Sequence, residues 1–171
     1  MNVEEFKRDV LQVKNKLYRF ALKLLRSTTE AEDTVQEVFL KLWSKKETLV
    51  NYNSIEAFAM VMTKNLCLDK LKSPKSKTKE ILDTDMKVSD RTPENYFEMK
   101  DNIKYVHRII ASLPDQQKMI IQLRDVEGYE YEEIAEIMQM NRNAIRVNLS
   151  RARKTVRDEL VKKYNYEYIP N

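Results

Sequence analysis

The stretch "YEEIAEIMQMNRNAIRVNLSRARKTVRD", Tyr131–Asp158, decides how the rest of the chain is read. Asn141–Asp158 holds six basic residues, Arg142, Arg146, Arg151, Arg153, Lys154 and Arg157, and a single acid, its last residue. Just upstream, Asp125–Glu136 carries six acids and no base. Ile145, Leu149, Ala152 and Val156 follow spacings of 4, 3 and 4, which gathers them on one buried helix face. Arg146, Ser150, Arg153 and Arg157 repeat that spacing one residue later, roughly 100° round the helix. Arg142 extends this stripe by a turn, while Arg151 and Lys154 broaden it. The segment before it gives a short helix with Ile134, Ala135 and Met138 inward, then the tight connection "QMN" with Asn141 or Asn143 as cap. A small residue at Ala135, a turn four residues later and an apolar Ile145 ten residues on is helix-turn-helix spacing. Gln139 stands at the turn position where glycine is common; a non-glycine residue at positive φ costs about 1 kcal/mol, which is tolerable.

A helix-turn-helix offers its second helix to the major groove. Arginines on that helix pair with phosphates or guanine edges. The acidic first helix is repelled by DNA, so the charge segregation orients the basic helix forward. The net charge of +4 hides this pattern: Arg142–Lys163 alone has eight bases and two acids.

Working outward, the 171 residues contain one glycine and four prolines. Hairpins and barrels need such turn residues, while helix formers are plentiful here, so the expected fold class is all-α. Apolar spacing predicts helices over Val10–Arg26, Glu30–Trp43 and Ile55–Lys72, the last capped by Ser54. Ser73–Asn95 has two prolines, many polar residues and little periodicity, and reads as a flexible linker. Helices resume over 97–112, 115–126, 131–138 and 142–160, and the tail "YNYEYIPN" packs onto the last helix or frays. The expected architecture is two small helical domains, 1–72 and 99–171, joined by a linker at 73–98.

The single Cys67 excludes an intramolecular disulfide and a cysteine-rich zinc site. His107 is the one histidine and is expected on a helix surface without a partner. No glycine loop, nucleophile set or metal-ligand spacing is present, so neither catalysis, metal nor cofactor is expected. The N-terminus lacks a signal-peptide run and no span of about 18 apolar residues occurs, which predicts a cytoplasmic protein without membrane insertion.

In Ala31–Trp43, Val35, Val38, Phe39, Leu42 and Trp43 form the core face. Opposite lie Asp33, Glu37, Ser44 and Leu40, with Gln36 at the flank. A leucine ringed by acids and a glutamine suggests a docking surface for a basic partner. In Ile55–Lys72, Phe58, Met62 and Leu66 are expected in the core, Lys64, Lys70 and Lys72 as exposed cations, and Asp69 on the apolar side.

The residues resemble a known family. "LYRFALKLLRSTTEAEDTVQEVFLKLW", "NLCLDKLK", "LPDQQKMIIQLRDVEGYEYEEIAEIM" and "NAIRVNLSRARKTVRDEL", in that order over about Leu17–Leu160, resemble regions two and four of bacterial RNA polymerase sigma factors of the extracytoplasmic-function group. The resemblance implies a promoter-directing transcription initiation factor. It implies that Asp33, Gln36, Glu37 and Leu40 bind core RNA polymerase. It implies that the loop Leu49–Ser54 with Lys64, Asn65, Asp69 and Lys72 holds the melted promoter element. Arg142, Asn143, Arg146, Val147, Ser150 and Arg151 would read upstream promoter DNA, with Arg153, Lys154 and Arg157 on phosphates. Asn148 stands where many members carry a basic residue. An anti-sigma factor is the further partner implied; no small-molecule substrate is.

Two weak readers tethered on one polymerase gain effective concentration and spacing-dependent specificity. A linker of roughly 25 residues extends to about 80 Å, so reach is not limiting. The alternative is a stand-alone helix-turn-helix regulator that never touches polymerase. Such proteins usually dimerise over palindromes, yet no heptad seam is visible, and the Ala31–Trp43 face would stay unexplained.

Overall fold

Capping side chains set where several helices begin. Asn2 and Glu5 form a reciprocal capping box that starts α1, Val3–Leu11. Ser27 accepts from the Glu30 amide at the head of α3, Thr28–Ser44. Ser54, as expected, accepts from the Ala57 amide to open α4, Ile55–Lys72. The computed structural model describes residues 2–73 and 93–167, leaving aside the side chains of 93–99 and 166–167. Most of the expected linker therefore lies outside the described residues, as do 168–171 of the tail.

Among the described residues there is no strand. The helices are α1, α2 (Lys14–Leu25), α3, α4, α5 (Pro93–Ser112), α6 (Asp115–Ile121), α7 (Tyr131–Met138) and α8 (Arg142–Glu167). They cluster into two compact units, 2–73 with 132–140, and 93–131 with 141–167. In the first unit α2 packs on α3 and α4 around Leu17, Phe20, Leu42 and Met60, all fully buried. Thr34 and Thr63, also buried, satisfy their hydroxyls on the Glu30 and Ala59 carbonyls of their own helices. In the second unit α5 and α6 pack on α8 around Ile120, Leu123, Ile145 and Leu149.

Four boundaries differ from expectation. The predicted helix Val10–Arg26 is broken at 12–13, where the Val13 amide donates to the Val10 carbonyl and both valines are buried. No proline or glycine marks this step, so nothing in the local composition signals it. α5 begins at Pro93, inside the stretch expected as linker; proline is suited to a helix's first turn because its missing N–H is unpaired there anyway. The predicted helix 115–126 ends in a π-turn, Gln122–Val126, from which the chain's only glycine, Gly128, exits at φ +79. α8 runs on to Glu167, so the start of the tail is helical, with Tyr164 exposed.

Candidate nucleic-acid interface and docking face

Asn141 accepts from the Ala144 amide and so caps α8. Ile145, Leu149 and Ala152 then turn inward, fully or almost fully buried, and Val156 is half-buried. That anchoring leaves Arg142, Asn143, Arg146, Val147, Ser150, Arg151, Arg153, Lys154 and Arg157 all exposed. Asn148 is half-buried and donates to the Ala144 carbonyl of its own helix at 2.9 Å. The turn before α8 takes the backbone form expected of it, with Gln139 left-handed at φ 54 and the Met140 amide donating to the Ala135 carbonyl.

Three of the exposed arginines, Arg142, Arg146 and Arg153, are held by neighbouring side chains. Tyr131, first residue of α7, carries three guanidinium groups near its ring: Arg124 at 4.9 Å, Arg142 at 5.8 Å and Arg146 at 5.5 Å from the centroid. Arg124 also donates to the Tyr129 carbonyl at 2.7 Å and pairs with Glu130 at 3.1 Å. Asp125, in the π-turn, takes a fork from Arg153, with Nε at 2.9 Å and Nη2 at 2.6 Å. Hydrogen bonding to Asp125 raises the Arg153 pKa above its ordinary value. Lys154 pairs along the helix with Asp158 at 2.6 Å, which holds the Asp158 carboxyl below the usual carboxylate range. Two acids of the Asp125–Glu136 segment are thus engaged by arginines. The segregation read along the sequence is partly cross-linked in space. Asp125 and Tyr131 were not singled out from the sequence, since Asp125 lies 28 residues from its partner and no short-range pattern marks such a pair.

On α3, Asp33, Gln36 and Leu40 are exposed and Glu37 is half-exposed, paired with Lys41 at 2.8 Å. Leu40 is 69% exposed, as is Val50, more than any other described large apolar residue. Val35, Val38 and Leu42 form the core stripe behind them. Phe39 and Trp43 are half-buried, and Trp43 meets Phe6 edge-to-face at 5.0 Å.

α4 corrects several expectations. Lys64 is not an exposed cation but 5% exposed, because Ala57, Met60, Lys64 and Cys67 recur at helical spacing along the core stripe. Burial disfavours its charged form and lowers its pKa. Phe58, Met62 and Leu66, expected in the core, are only half-buried. Asp69, expected on the apolar side, is exposed. The cause is that α4 is apolar nearly all round, so periodicity could not single out its buried face; small residues at Ala57, Ala59 and Thr63 took it. Asn65, Asp69 and Lys72, spaced 4 and 3, share the exposed side. Before α4, the 3-10 turn Leu49–Asn51 exposes Val50, and Tyr52 stacks on Phe58 at 4.0 Å between centroids.

Cys67 is buried and its thiol is pushed up to about 12 by desolvation. His107 is half-buried on α5 and engaged by a neighbour, not the partnerless surface histidine expected. Among the described residues no cluster of His, Cys, Asp or Glu could hold a metal. No described helix is long and apolar enough to cross a membrane.

Two family models match the chain, Sigma-70 region 2 over residues 10–77 and Sigma-70 region 4 over residues 103–156. The chain is 31% identical over 149 residues to RNA polymerase sigma factor SigV of Bacillus subtilis, covering 87% of each. It is 27% identical over 168 residues to the probable RNA polymerase sigma factor RfaY of Xanthomonas campestris, covering 95% of this chain but 42% of that protein. It is 28% identical over 137 residues to the ECF RNA polymerase sigma-E factor of Escherichia coli, covering 74% of this chain and 72% of that protein. The fold matches the sigma factor RpoE of Bartonella quintana, solved in complex with the anti-sigma factor NepR, with TM-score 0.71 at 23% identity over 92% of this chain and 98% of that one. With a region 2 match on α2 to α4, a region 4 match reaching into the basic face of α8, and a relative of nearly equal span, the chain belongs to the sigma-70 family of RNA polymerase sigma factors, in its extracytoplasmic-function group.

Proposed function

We propose that this chain binds core RNA polymerase and directs it to specific promoters. The family membership supports that role, and the surfaces described above supply candidates for each part of it. Residues 1–72 take the polymerase and the melted, start-proximal element; residues 99–171 take the upstream element; 73–98 tethers them. The exposed face of α3, with Asp33, Gln36, Glu37 and Leu40, is the docking face. Asn65, Asp69 and Lys72 on α4, with the Leu49–Ser54 loop, hold the displaced strand, while Lys64 supports them from the core side. Single-stranded bases are held by stacking as well as by charge, which suits the exposed rim formed by Val50 and Tyr52. On α8, Arg142, Asn143, Arg146, Val147, Ser150 and Arg151 read base edges, and Arg153, Lys154 and Arg157 set the register on phosphates.

The observation that carries this reading is Leu40. One exposed leucine is ordinary on a protein surface, but Leu40 stands 69% exposed on the region 2 helix with Asp33, Gln36 and Glu37 about it, an apolar contact ringed by acids that suits a basic partner. The reading assigns no catalysis to this chain, since the polymerase performs the chemistry, and it needs no cofactor. It places the protein in the cytoplasm with polymerase and DNA. An anti-sigma factor is a proposed regulatory partner, supported by the RpoE relative having been solved with one.

The test is run-off transcription with purified core polymerase on promoter-bearing fragments. Initiation with the wild type and its collapse with Leu40→Asp, while duplex binding persists, is the expected result. A wild type that binds DNA yet never directs core polymerase to initiate would sink the proposal in favour of a stand-alone regulator.

A further inference from the structure

We propose that Asp125 is a positioning residue for DNA recognition: its carboxylate holds the Arg153 guanidinium in a fixed pose and cancels its charge until a phosphate arrives. This inference rests on the reading of α8 as the upstream-element helix.

The geometry is two hydrogen bonds from one guanidinium edge, Nε to Oδ2 at 2.9 Å and Nη2 to Oδ1 at 2.6 Å. An arginine has five N–H donors in a rigid fork. The Asp125 carboxylate occupies two of them and Tyr131 also hydrogen-bonds the same guanidinium, leaving the remaining donors to meet a phosphate oxygen. The Arg153 side chain is 50% exposed, so those donors are reachable from outside. The pair joins two elements, the π-turn Gln122–Val126 and α8, across 28 residues of sequence, so it fixes the arginine against the body of its unit. Lys154 provides the contrast. Its partner Asp158 lies on the same helix one turn away, and both are more exposed, so that cation is only loosely held.

Consequences follow for affinity and for selectivity. Counterion release scales with the number of uncompensated cations brought to the backbone. Arg153 paired with Asp125 adds little to that non-specific term, while its fixed fork still defines where one phosphate must lie. Freed from Asp125, the same arginine adds a full charge and loses its fixed direction. Attraction to any duplex rises and discrimination falls.

The experiment uses the full chain and two labelled duplexes, one selected by the wild type from a random-sequence pool and one scrambled from it. Binding is followed by anisotropy as salt is raised. Asp125→Asn keeps the shape, and the ion pair it breaks is half exposed, so the fold survives. The expected result is a log Kd against log salt slope steeper by about 0.9, so that affinity falls roughly 3-fold more between 50 and 200 mM salt than for the wild type. The ratio of selected to scrambled affinity falls as well. Glu136→Gln, the same charge change elsewhere in the acidic segment, leaves both quantities at the wild-type value. If Asp125→Asn leaves the slope unchanged, or if Glu136→Gln steepens it equally, the positioning role is overturned. A wild type that binds neither duplex overturns the DNA reading of α8, and this role with it.

Discussion

Leu40 and Leu42 stand two residues apart on α3 and face opposite fates when truncated. Leu40 is 69% exposed and Leu42 is fully buried. Leu40→Ala removes three carbons, worth about 2.4 kcal/mol at roughly 0.8 kcal/mol for each carbon that a partner dries completely. Scaled by the 69% that stands in water, the docking loss is roughly 1.7 kcal/mol, or a 15- to 20-fold weaker Kd for core polymerase. The free protein loses little packing, so its unfolding free energy should move by less than about 0.5 kcal/mol. Leu42→Ala instead opens the core and costs about 2–5 kcal/mol of stability. The assay is a titration of labelled full-length protein with core polymerase, run beside urea unfolding of the same samples. A Leu40→Ala variant that binds polymerase within about 3-fold of the wild type, or one destabilised as much as Leu42→Ala, would refute the assignment of α3's outer face.

Three further outcomes are expected. Gln139→Gly relieves a left-handed residue at φ 54 and should raise stability by about 0.5–1 kcal/mol in chemical unfolding; a loss would show that the Gln139 side chain contributes something its backbone strain conceals. Cys67, with its thiol pushed up from an ordinary 9.0 to about 12, should resist thiol reagents in the native state. The unfolded chain releases that proton first, so stability should fall as pH rises from about 9 towards 12, and Cys67→Ala should flatten that limb. Lys64 has its pKa lowered by burial; the folded state therefore sheds its proton before the unfolded chain does, and stability should gain as pH rises through the lowered value. Lys64→Met should lack that gain and match or exceed wild-type stability at neutral pH, and a severe loss of stability there would contradict the buried placement.

Much of α8 was legible because its signal is local. The 4-3-4 apolar spacing from Ile145 onward fixes which side is buried, and all nine residues expected on the other side are exposed. Leu40 was legible for the same reason, as an apolar residue out of phase with Val35, Val38 and Leu42. α4 was not. Its face is chosen by which residues are small enough for α2 and α3 to approach, and that depends on partners far away in sequence. Lys64 and Asp69 were exchanged between core and surface as a result. The Asp125–Arg153 fork was illegible on similar grounds, since a π-turn sets where Asp125 points and no residue type announces one.

That turn bears on how freely such proteins can be recombined. A helix that reads DNA looks like a cassette, removable at its caps and replaceable by another with different base preferences. Here the cassette has a second attachment at Asp125, upstream of α7 and outside any boundary drawn around α7 and α8. Across Gln122–Val126 the backbone hydrogen bond spans one residue more than in an α-helix, from the Glu127 amide to the Gln122 carbonyl. Deleting a single residue there would swing Asp125 by roughly 100° round its axis. A chimera that transplants α8 alone would therefore inherit an arginine without its counterweight, and the segment to move as one piece begins at Gln122.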